Sequence, residues 1–514
     1  MAGGTGVTDP SPTRAASCEQ TEAELLDRAR FAYSLQQQGN LIEAEQIYRE
    51  ILAVAPDHFH ATHLLGVVAA QTGHFGPAEE LISRAIAINP NEAAAHSNLG
   101  NVLWEFERLD EAIASQDRAI ALDTSYAPAH SNRANALKAL GRFEEALIGC
   151  DQAIALVPDY ADAWSNRGAL LQELGRFDEA MASYDRAIAL NPQFLDPRLN
   201  KAQLTLLQGD FEQGWPDYEL RRFNPGPIEL PTIDGPQWSG SEDLRGRRIL
   251  IHYEQGLGDT IQFVRYIRKL NEGGAHVLFA PWPQLVGLMA SLDADFEIVE
   301  LTNGSPAFDF HCALMSLPLA FGTTLATIPS APAYLHAEPK RARYWADKIG
   351  GNGFKIGICW QGRSGKVDLG RSFPLAALAG IAELPGVRLI SLHKGSGETQ
   401  LAGLPDGMSV KVLGDEFDAG PQAFLDTAAV IDSCDLVISS DTSIAHLAGA
   451  MGKPCWIALK YVPDWRWMMD RSDSPWYPTV RLFRQSIPAD WSAVFAAMES
   501  ELRTRLAARS SQGD

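Results

Sequence analysis

The chain has 514 residues, of which 64 are acidic, 43 are basic and 46% are hydrophobic, and its formal net charge is −21. This length exceeds what one hydrophobic core supports and predicts about three units. The acidic surface argues against a nucleic-acid partner, and no stretch approaches the ~20 consecutive apolar residues of a membrane span.

The first residues of the chain and the spacing of the cysteines indicate the cellular compartment of the protein. Residues 1–22 lack the apolar core of a secretory signal and are expected to form a disordered leader. Six cysteines are scattered without a C-x-x-C pair. This pattern indicates buried thiols in a reducing compartment, so we predict a cytoplasmic protein.

Residues 23–226 repeat with a period of 34. Prolines recur where a second helix would end, because proline cannot continue a helix, and small residues recur where helices would cross. The markers are Pro56, Pro90, Pro158 and Pro192; Ala44, Ala78, Ala112, Ala146 and Ala180; and Gly39, Gly73, Gly141, Gly175 and Gly209, with Glu107 in place of one glycine. This pattern resembles five full tetratricopeptide repeats from about residue 23 to 194 and a degenerate sixth to about 226, which implies an α-solenoid with a concave groove.

Asparagines recur at one position of the first helix in successive repeats: Asn98, Asn132, Asn166 and Asn200. Each amide offers a donor and an acceptor, so the column could bind the backbone of an extended peptide in the groove. The same side chains could instead bond neighbouring helices and stabilise the stack. The column resembles the asparagine ladder that lines the repeats of protein O-GlcNAc transferases.

Two patterns contain potential metal ligands, but we predict no metal site at either. His58, His60 and His63 lie close together, but no acidic or thiol residue completes a ligand set at helical spacing. Asp293 and Asp295 form a D-x-D pattern, but in a turn where exposed capping residues are expected.

The second half of the chain alternates strands with helices after a linker rich in proline and glycine at residues 227–246. The pattern is βαβαβ over residues 247–340 and is repeated over residues 354–490, with a linker at 341–353 and a final helix and tail at 491–514. Such alternation predicts parallel sheets with right-handed crossovers. We therefore expect an α plus α/β protein, in which two Rossmann-like domains follow the repeats and face a cleft.

The sequence YEQGLGDTIQF follows the first strand and carries Gly256, Gly258 and Asp259. Ile261 occupies the third glycine position of a dinucleotide fingerprint, and no acidic residue ends the next strand, which argues against a dehydrogenase. Asp259 would start a helix, either as a simple N-cap or as a general base that points into the cleft.

The sequence SSDTSIAH follows a buried strand and starts another helix at Asp441, Thr442 and Ser443. Free N–H groups and the helix dipole favour an anion there, and phosphate is the commonest one. His446, one turn along, could donate to a diphosphate oxygen or could be an ordinary core histidine. A nucleophilic serine is not expected, because the G-x-S-x-G elbow is absent.

The motifs QGLGD, GRSFP and DTSIAH together resemble GT-B glycosyltransferases of the heptosyltransferase-like group. With the repeats, the architecture resembles protein O-GlcNAc transferases and the bacterial enzymes that glycosylate flagellins. The resemblance implies a GT-B pair of domains, with the acceptor on the N-terminal one and the nucleotide sugar on the C-terminal one. It also implies that Asp259 is the general base, that Arg371 contacts the donor phosphates, and that residues 441–446 cradle the diphosphate, with Ser443 where glycine is usual.

Further loop candidates surround these motifs. Gln361 follows the first strand of the second domain, and Gly256 and Gly258 shape the loop before Asp259. The aromatic segment after a later strand offers Trp465 and Trp467 as stacking surfaces and Arg466 as a contact for an acidic sugar, or it forms a packed lid or domain contact.

We therefore expect a metal-independent inverting glycosyltransferase that needs no cofactor, because the nucleotide sugar is a substrate. The acceptor would be a Ser or Thr hydroxyl of a protein recruited by the repeats, with flagellin as one candidate. Two alternatives remain open: transfer to a lipid-linked or polysaccharide acceptor, and a repeat scaffold whose catalytic part is inactive.

Overall fold

The computed structural model describes residues 13–223, 233–301, 306–362 and 370–510. The chain divides into two compact units, Met1–Leu170 and Leu171–Asp514. This division differs from the predicted one at residue 226, because the last repeat helices pack with the α/β region. No helix in the described ranges is long and apolar enough to cross a bilayer.

Residues 13–223 form paired antiparallel helices of the tetratricopeptide type, as the period predicts. Small residues such as Ala44, Ala78 and Ala146 are fully buried where the helices cross. The helices are α1 Thr13–Gln37, α2 Leu41–Val54, α3 Phe59–Gln71, α4 Phe75–Ile88, α5 Ala93–Glu105, α6 Leu109–Leu122, α7 Ala127–Ala139, α8 Phe143–Leu156, α9 Ala161–Glu173, α10 Phe177–Leu190, α11 Leu195–Leu207 and α12 Phe211–Tyr218, followed by a 3-10 turn at Glu219–Phe223.

The first helix begins inside the predicted leader. Helix α1 starts at Thr13, so the expectation of disorder is wrong for residues 13–22, whereas residues 1–12 lie outside the described ranges. The stretch after Pro12 contains Ala, Arg, Gln and Glu, which favour a helix, and no glycine or proline interrupts it.

The turns between paired helices require the left-handed region of backbone space. Gly141 has φ of 74°, and Glu107, which replaces glycine at the equivalent position, has φ of 60°. A non-glycine residue pays about 1–2 kcal/mol in this region, whereas glycine has a smaller entropic cost.

Glu107→Gly is expected to stabilise the first unit by roughly 0.5–1 kcal/mol, because it relieves this backbone cost. The matched variant Gly141→Ala should act in the opposite direction, since a Cβ there has no atom within 4 Å and only the backbone conformation is affected. Thermal unfolding of both variants measures the effect. A lower unfolding temperature for Glu107→Gly would contradict the prediction.

The α/β part of the second unit contains two parallel sheets. The strands are β1 Arg248–His252, β2 His276–Ala280, β3 Glu297–Ile298, β4 Phe310–Ala313, β5 Phe354–Cys359, β6 Val387–Ser391, β7 Val410–Lys411, β8 Leu436–Ser439, β9 Cys455–Leu459 and β10 Val480–Arg484. The first sheet has the order β3-β2-β1-β4 and the second has the order β10-β9-β8-β5-β6-β7, which confirms the predicted α/β class.

Short helices connect these strands, and a long final helix covers the second sheet. Val494, Phe495 and Met498 of that helix pack into the core of the second sheet. The helices are α13 Leu257–Phe263, α14 Tyr266–Glu272, α15 Val286–Met289, α16 Leu317–Ala320, α17 Pro339–Ile349, α18 Ala379–Ala382, α19 Leu425–Ser433, α20 Ser443–Ala450 and α21 Ser492–Ser510.

Two predicted connections differ from the structure. Residues 341–353, expected as a linker, are mostly helix α17, which starts at Pro339, ends at Ile349 and is followed by Gly350 with φ of 83°. Proline at the start of a helix and glycine just after its end are typical helix signals. The single helix expected after β1 is broken between α13 and α14. There the Arg265 side chain donates to the backbone oxygen of Gln262 at 2.7 Å.

The last repeat is built into the second unit. The indole nitrogen of Trp215 in α12 donates to the backbone oxygen of Thr323 at 2.9 Å. Phe211 lies 6.1 Å from Trp476, measured between ring centroids. Helix α12 of this repeat therefore packs directly against the α/β region.

Candidate functional site

A cavity of about 560 Å³ opens at the carboxyl ends of strands β5, β6 and β8. In parallel sheets this edge is where ligands bind. Gln361 lies in its wall, beside the amide of Gln400 at 3.4 Å. Other lining residues are Cys359, Lys394, Asp418, Phe424, Thr442 and Ser443.

The start of α20 faces this cavity. Strand β8 ends at Ser439, and Thr442 is the N-cap residue of α20, but its side chain makes no capping bond. Its hydroxyl instead bonds Ser439 Oγ at 3.0 Å. The N–H groups of the first turn are thus left without a side-chain cap at a position where the helix dipole favours an anion.

Arg371 and Asp441 lie beside this helix start. A Cβ atom added to Gly362 would meet both Thr442 Cγ2, at 3.4 Å, and Arg371 Nη2, at 3.8 Å. Arg371 Nε is buried and has no hydrogen-bond partner among the described residues. Burial raises the pKa of Asp441 to about 6, helped by the nearby carboxylate of Asp464 and opposed by the Arg371 guanidinium.

Gly258 brings the loop of Asp259 against the same helix. A Cβ atom added to Gly258 would lie 3.1 Å from Cδ2 of His446 and 3.4 Å from Cα of Ser443. A larger residue would therefore push α20 away. The two motifs, which are far apart in the sequence, meet at this contact.

Asp259 occupies the start of α13, and both of its carboxylate oxygens are bonded. Oδ2 accepts the N–H of Gly256 at 2.8 Å, and Oδ1 accepts Nη2 of Arg466 at 2.5 Å. The side chain is 18% exposed. Burial raises the pKa of Asp259, although Arg466 opposes the shift.

Arg466 does not have the predicted role. Instead of facing an acidic sugar, its guanidinium is buried and bonds Asp259, Asp464 Oδ1 at 2.8 Å and Gln262 Oε1 at 2.8 Å. The prediction failed because the loop folds inward, where a charged group needs opposite charges.

Trp465 and Trp467 are not free stacking surfaces, so that prediction is wrong. They are 3% and 0% exposed. Trp465 packs edge-on against Trp215 at 5.3 Å and Tyr218 at 5.6 Å. The other predicted possibility, a packed contact, describes this segment.

His446 is an interior side chain. Its Nδ1 lies 2.9 Å from the hydroxyl of Tyr477, and its ring stacks on Trp467 at 5.2 Å. Burial, and then the charges of Arg466 and Arg265, lower its pKa well below the ordinary value. The structure thus favours the core-histidine interpretation over a charged phosphate donor.

Sequence reasoning missed Lys394 and Glu254. Lys394 lines the cavity just after β6, and its ammonium group donates to the backbone oxygen of Asp418 at 2.8 Å. Glu254 follows β1 and is 2% exposed. A polar residue just past the end of a parallel strand is the signal that could have identified both.

Three asparagines of the column bond the preceding repeat. Asn98 Nδ2 lies 2.9 Å from His63 Nε2, and Asn132 and Asn166 donate to the serines one repeat earlier, Ser97 at 3.3 Å and Ser131 at 3.0 Å. These bonds support the stabilising interpretation, and they use only the amide nitrogens of the three side chains. Asn200 is half-buried in α11 of the second unit.

The clustered histidines have other partners. His58 Nδ1 accepts the N–H of Ala61 at 3.1 Å and so caps α3. His63 bonds Asn98, as described above. Within the described ranges, no three His, Cys, Asp or Glu side chains are grouped so that they could hold a metal ion.

The sequence matches known families in both halves. Residues 35–101, 93–126, 134–175 and 161–194 match tetratricopeptide repeats, and residues 376–459 match glycosyltransferase family 9 (heptosyltransferase). Protein FlbA of Caulobacter vibrioides is 28% identical over 313 residues, which are 56% of this chain and 52% of FlbA. The chain therefore spans about half the length of the curated relative that it matches.

Solved structures align with a smaller share of the chain. A thermophilic TPR protein of Thermus thermophilus aligns at 25% identity with a TM-score of 0.33, covering 35% of this chain and 99% of that protein. PilF of Pseudomonas aeruginosa aligns at 21% identity with a TM-score of 0.35, covering 40% of this chain and 95% of that protein.

Proposed function

We propose that this chain, in which tetratricopeptide repeats precede a glycosyltransferase family 9 region, is an inverting glycosyltransferase of the GT-B type that uses a nucleotide sugar. The observation that supports this most is the contact at Gly258, which puts the loop of Asp259 beside the uncapped start of α20. A carboxylate and an anion-binding helix end thus lie in neighbouring positions. Transfer of a sugar from a diphosphate needs these two groups together.

The donor diphosphate would bind at the start of α20 and at Arg371. The first-turn N–H groups and the guanidinium would stabilise the negative charge that grows on the departing nucleotide, so the reaction would not need a metal. Asp259 would take the proton of the acceptor hydroxyl as its oxygen bonds the anomeric carbon. The bond to the diphosphate breaks on the opposite face, which inverts the anomeric centre.

The acceptor would be a Ser or Thr hydroxyl of a protein that the repeats recruit, and flagellin is one candidate. A cavity of about 270 Å³ lies beside Asn98 and is lined by Val67, Phe75 and Val102. It could receive an apolar side chain of an extended peptide. The amide oxygens of the column would then accept hydrogen bonds from the peptide backbone.

The test is thermal unfolding with UDP, GDP, ADP, TDP, CDP or CMP, using the wild type and Arg371→Gln. One nucleotide at ~100 times its dissociation constant should stabilise the wild type by ~2.7 kcal/mol. Arg371→Gln should lose most of this gain, because it removes the charge beside the helix start.

Arg343→Gln is the matched control, since it removes one exposed arginine of α17. It should respond like the wild type. If no nucleotide stabilises the wild type, the inactive-scaffold alternative is favoured. If a nucleotide binds but the donor sugar passes only to lipid-linked or polysaccharide acceptors, the protein acceptor is wrong.

A further inference from the structure

Arg221 lies in the 3-10 turn after α12, at the end of the last repeat, and its side chain is 3% exposed. All five of its N–H donors are directed at acceptors. Nε and Nη2 bond Glu254 Oε1 at 2.8 and 2.6 Å, and Nη2 also bonds Ser316 Oγ at 2.9 Å. Nη1 bonds Glu219 Oε1 at 2.6 Å and the backbone oxygen of Tyr218 at 3.1 Å.

Glu254 leads directly into the loop that carries Asp259. The next residue, Gln255, is held at φ of 52°, in the left-handed region. Gly256 then donates its N–H to the Asp259 carboxylate. A non-glycine residue keeps such a conformation only when its surroundings hold it. The buried ion pair of Arg221 and Glu254 provides that support on one side of the turn.

The same repeat also supports Arg466, the ion-pair partner of Asp259. The Arg466 guanidinium lies 4.4 Å from the ring centroid of Trp465. Trp465 in turn packs against Trp215 and Tyr218 of α12. Contacts with the last repeat therefore support both the turn before Asp259 and the Arg466 side chain that pairs with Asp259.

We propose that Arg221 is a positioning residue: through Glu254 it fixes the turn at Gln255 and thereby the direction of the Asp259 carboxylate. The importance of that direction for catalysis rests on the proposed function. The last repeat then helps to position the proposed base, and a displacement of the repeat would change the direction of the Asp259 carboxylate through Glu254.

The test compares three full-length variants: Arg221→Met, the double variant Arg221→Met/Glu254→Leu, and the control Arg222→Met. Arg222, the neighbouring arginine, bonds Gln237 at 2.9 Å and pairs with Glu219 at 3.8 Å, and within the described ranges no hydrogen bond or ion pair joins it to Glu254. Removing one partner of a buried ion pair destabilises a protein, whereas replacing both by apolar residues is often neutral. The double variant thus separates stability from positioning.

The readouts are the unfolding temperature, hydrogen exchange of the peptide spanning residues 253–263, and kcat for consumption of the donor found by the nucleotide screen. We expect Arg221→Met to unfold at a lower temperature and the double variant to recover that loss. In both, exchange in this peptide should be at least ~tenfold faster than in Arg222→Met. The kcat of both variants should be lower than that of Arg222→Met.

The proposal is overturned if the double variant exchanges as slowly as Arg222→Met, or if faster exchange leaves kcat unchanged in a protein that transfers sugar. Exchange is measured without any donor, so it is independent of the proposed function. If the wild type consumes no nucleotide sugar while exchange behaves as expected, the glycosyltransferase assignment fails. The structural link from Arg221 to the Asp259 loop then stands.

Discussion

Asp259→Asn is expected to lower kcat for sugar transfer by ~10²–10⁴-fold, because an amide cannot accept the proton of the acceptor hydroxyl. The affinity for the nucleotide should change little, since the diphosphate would bind at α20 and Arg371. In the wild type, kcat/KM should rise with pH through a pKa above the ordinary aspartate value, since burial raises the pKa of Asp259. Initial rates and nucleotide titrations on the same preparations measure these quantities.

Asp464→Asn is the matched control for this prediction. It removes the other carboxylate that bonds the Arg466 guanidinium but leaves the proposed base in place. Its kcat should fall by less than ~tenfold, because Arg466 keeps its bond to Asp259. If both variants lose activity equally, Asp259 acts as an ion-pair partner of Arg466 and the base must be sought elsewhere.

The features that sequence reasoning recovered are those with a period or a strong local signal. The 34-residue period predicts the helix pairs, because each repeat must place the same small residues at the same crossings. The start of α20 is predicted by a buried strand followed by Asp441, Thr442 and Ser443. The parallel sheets follow from alternating strands and helices, although the two-residue strand β7 is too short to give a pattern.

The features that it missed depend on contacts between distant segments. Arg221 and Glu254 are 33 residues apart, and no spacing rule connects the end of a repeat to a loop after β1. Trp465 and Arg466 are residue types that often contact ligands, so their sequence alone fits an exposed binding surface. Both are buried, and the last repeat supplies Trp215 and Tyr218 as partners of Trp465. Neither segment carries that information alone.

The role of His446 also depends on contacts that the sequence does not reveal. Its position one turn into α20 fits a phosphate donor and a core histidine equally well. Only the contacts with Tyr477 and Trp467 decide between them. Gly258, which the sequence identified as part of a loop, has a more specific use: it lets that loop approach His446.

Asp441→Asn is expected to stabilise the ligand-free protein increasingly as the pH rises. Burial raises the pKa of Asp441 from its ordinary 3.8 to about 6, so the folded protein binds the proton more tightly than the unfolded chain. The stability from this group is therefore complete below pH 3.8 and is lost as the pH rises through about 6. Asparagine cannot ionise and avoids the loss, which amounts to about 1–3 kcal/mol.

Nucleotide binding should show the same dependence on the charge of Asp441. A buried carboxylate beside the helix start repels a diphosphate once it is ionised, so the dissociation constant of the wild type should rise with pH through about 6. Asp441→Asn should lack this rise, because it presents an uncharged amide at every pH.

Denaturant unfolding measures the effect on stability, and nucleotide titration measures the effect on binding. Both are carried out between about pH 4.5 and 8, an interval that contains the pKa of Asp441. The difference between variant and wild type isolates Asp441 from other groups, such as His446, whose lowered pKa acts in the opposite direction. The control Asp415→Asn removes an exposed carboxylate and shows whether loss of a carboxylate away from the helix start has the same effect. Parallel pH curves for Asp441→Asn and the wild type would mean that Asp441 stays ionised in the folded protein, and the diphosphate would then have to bind away from it.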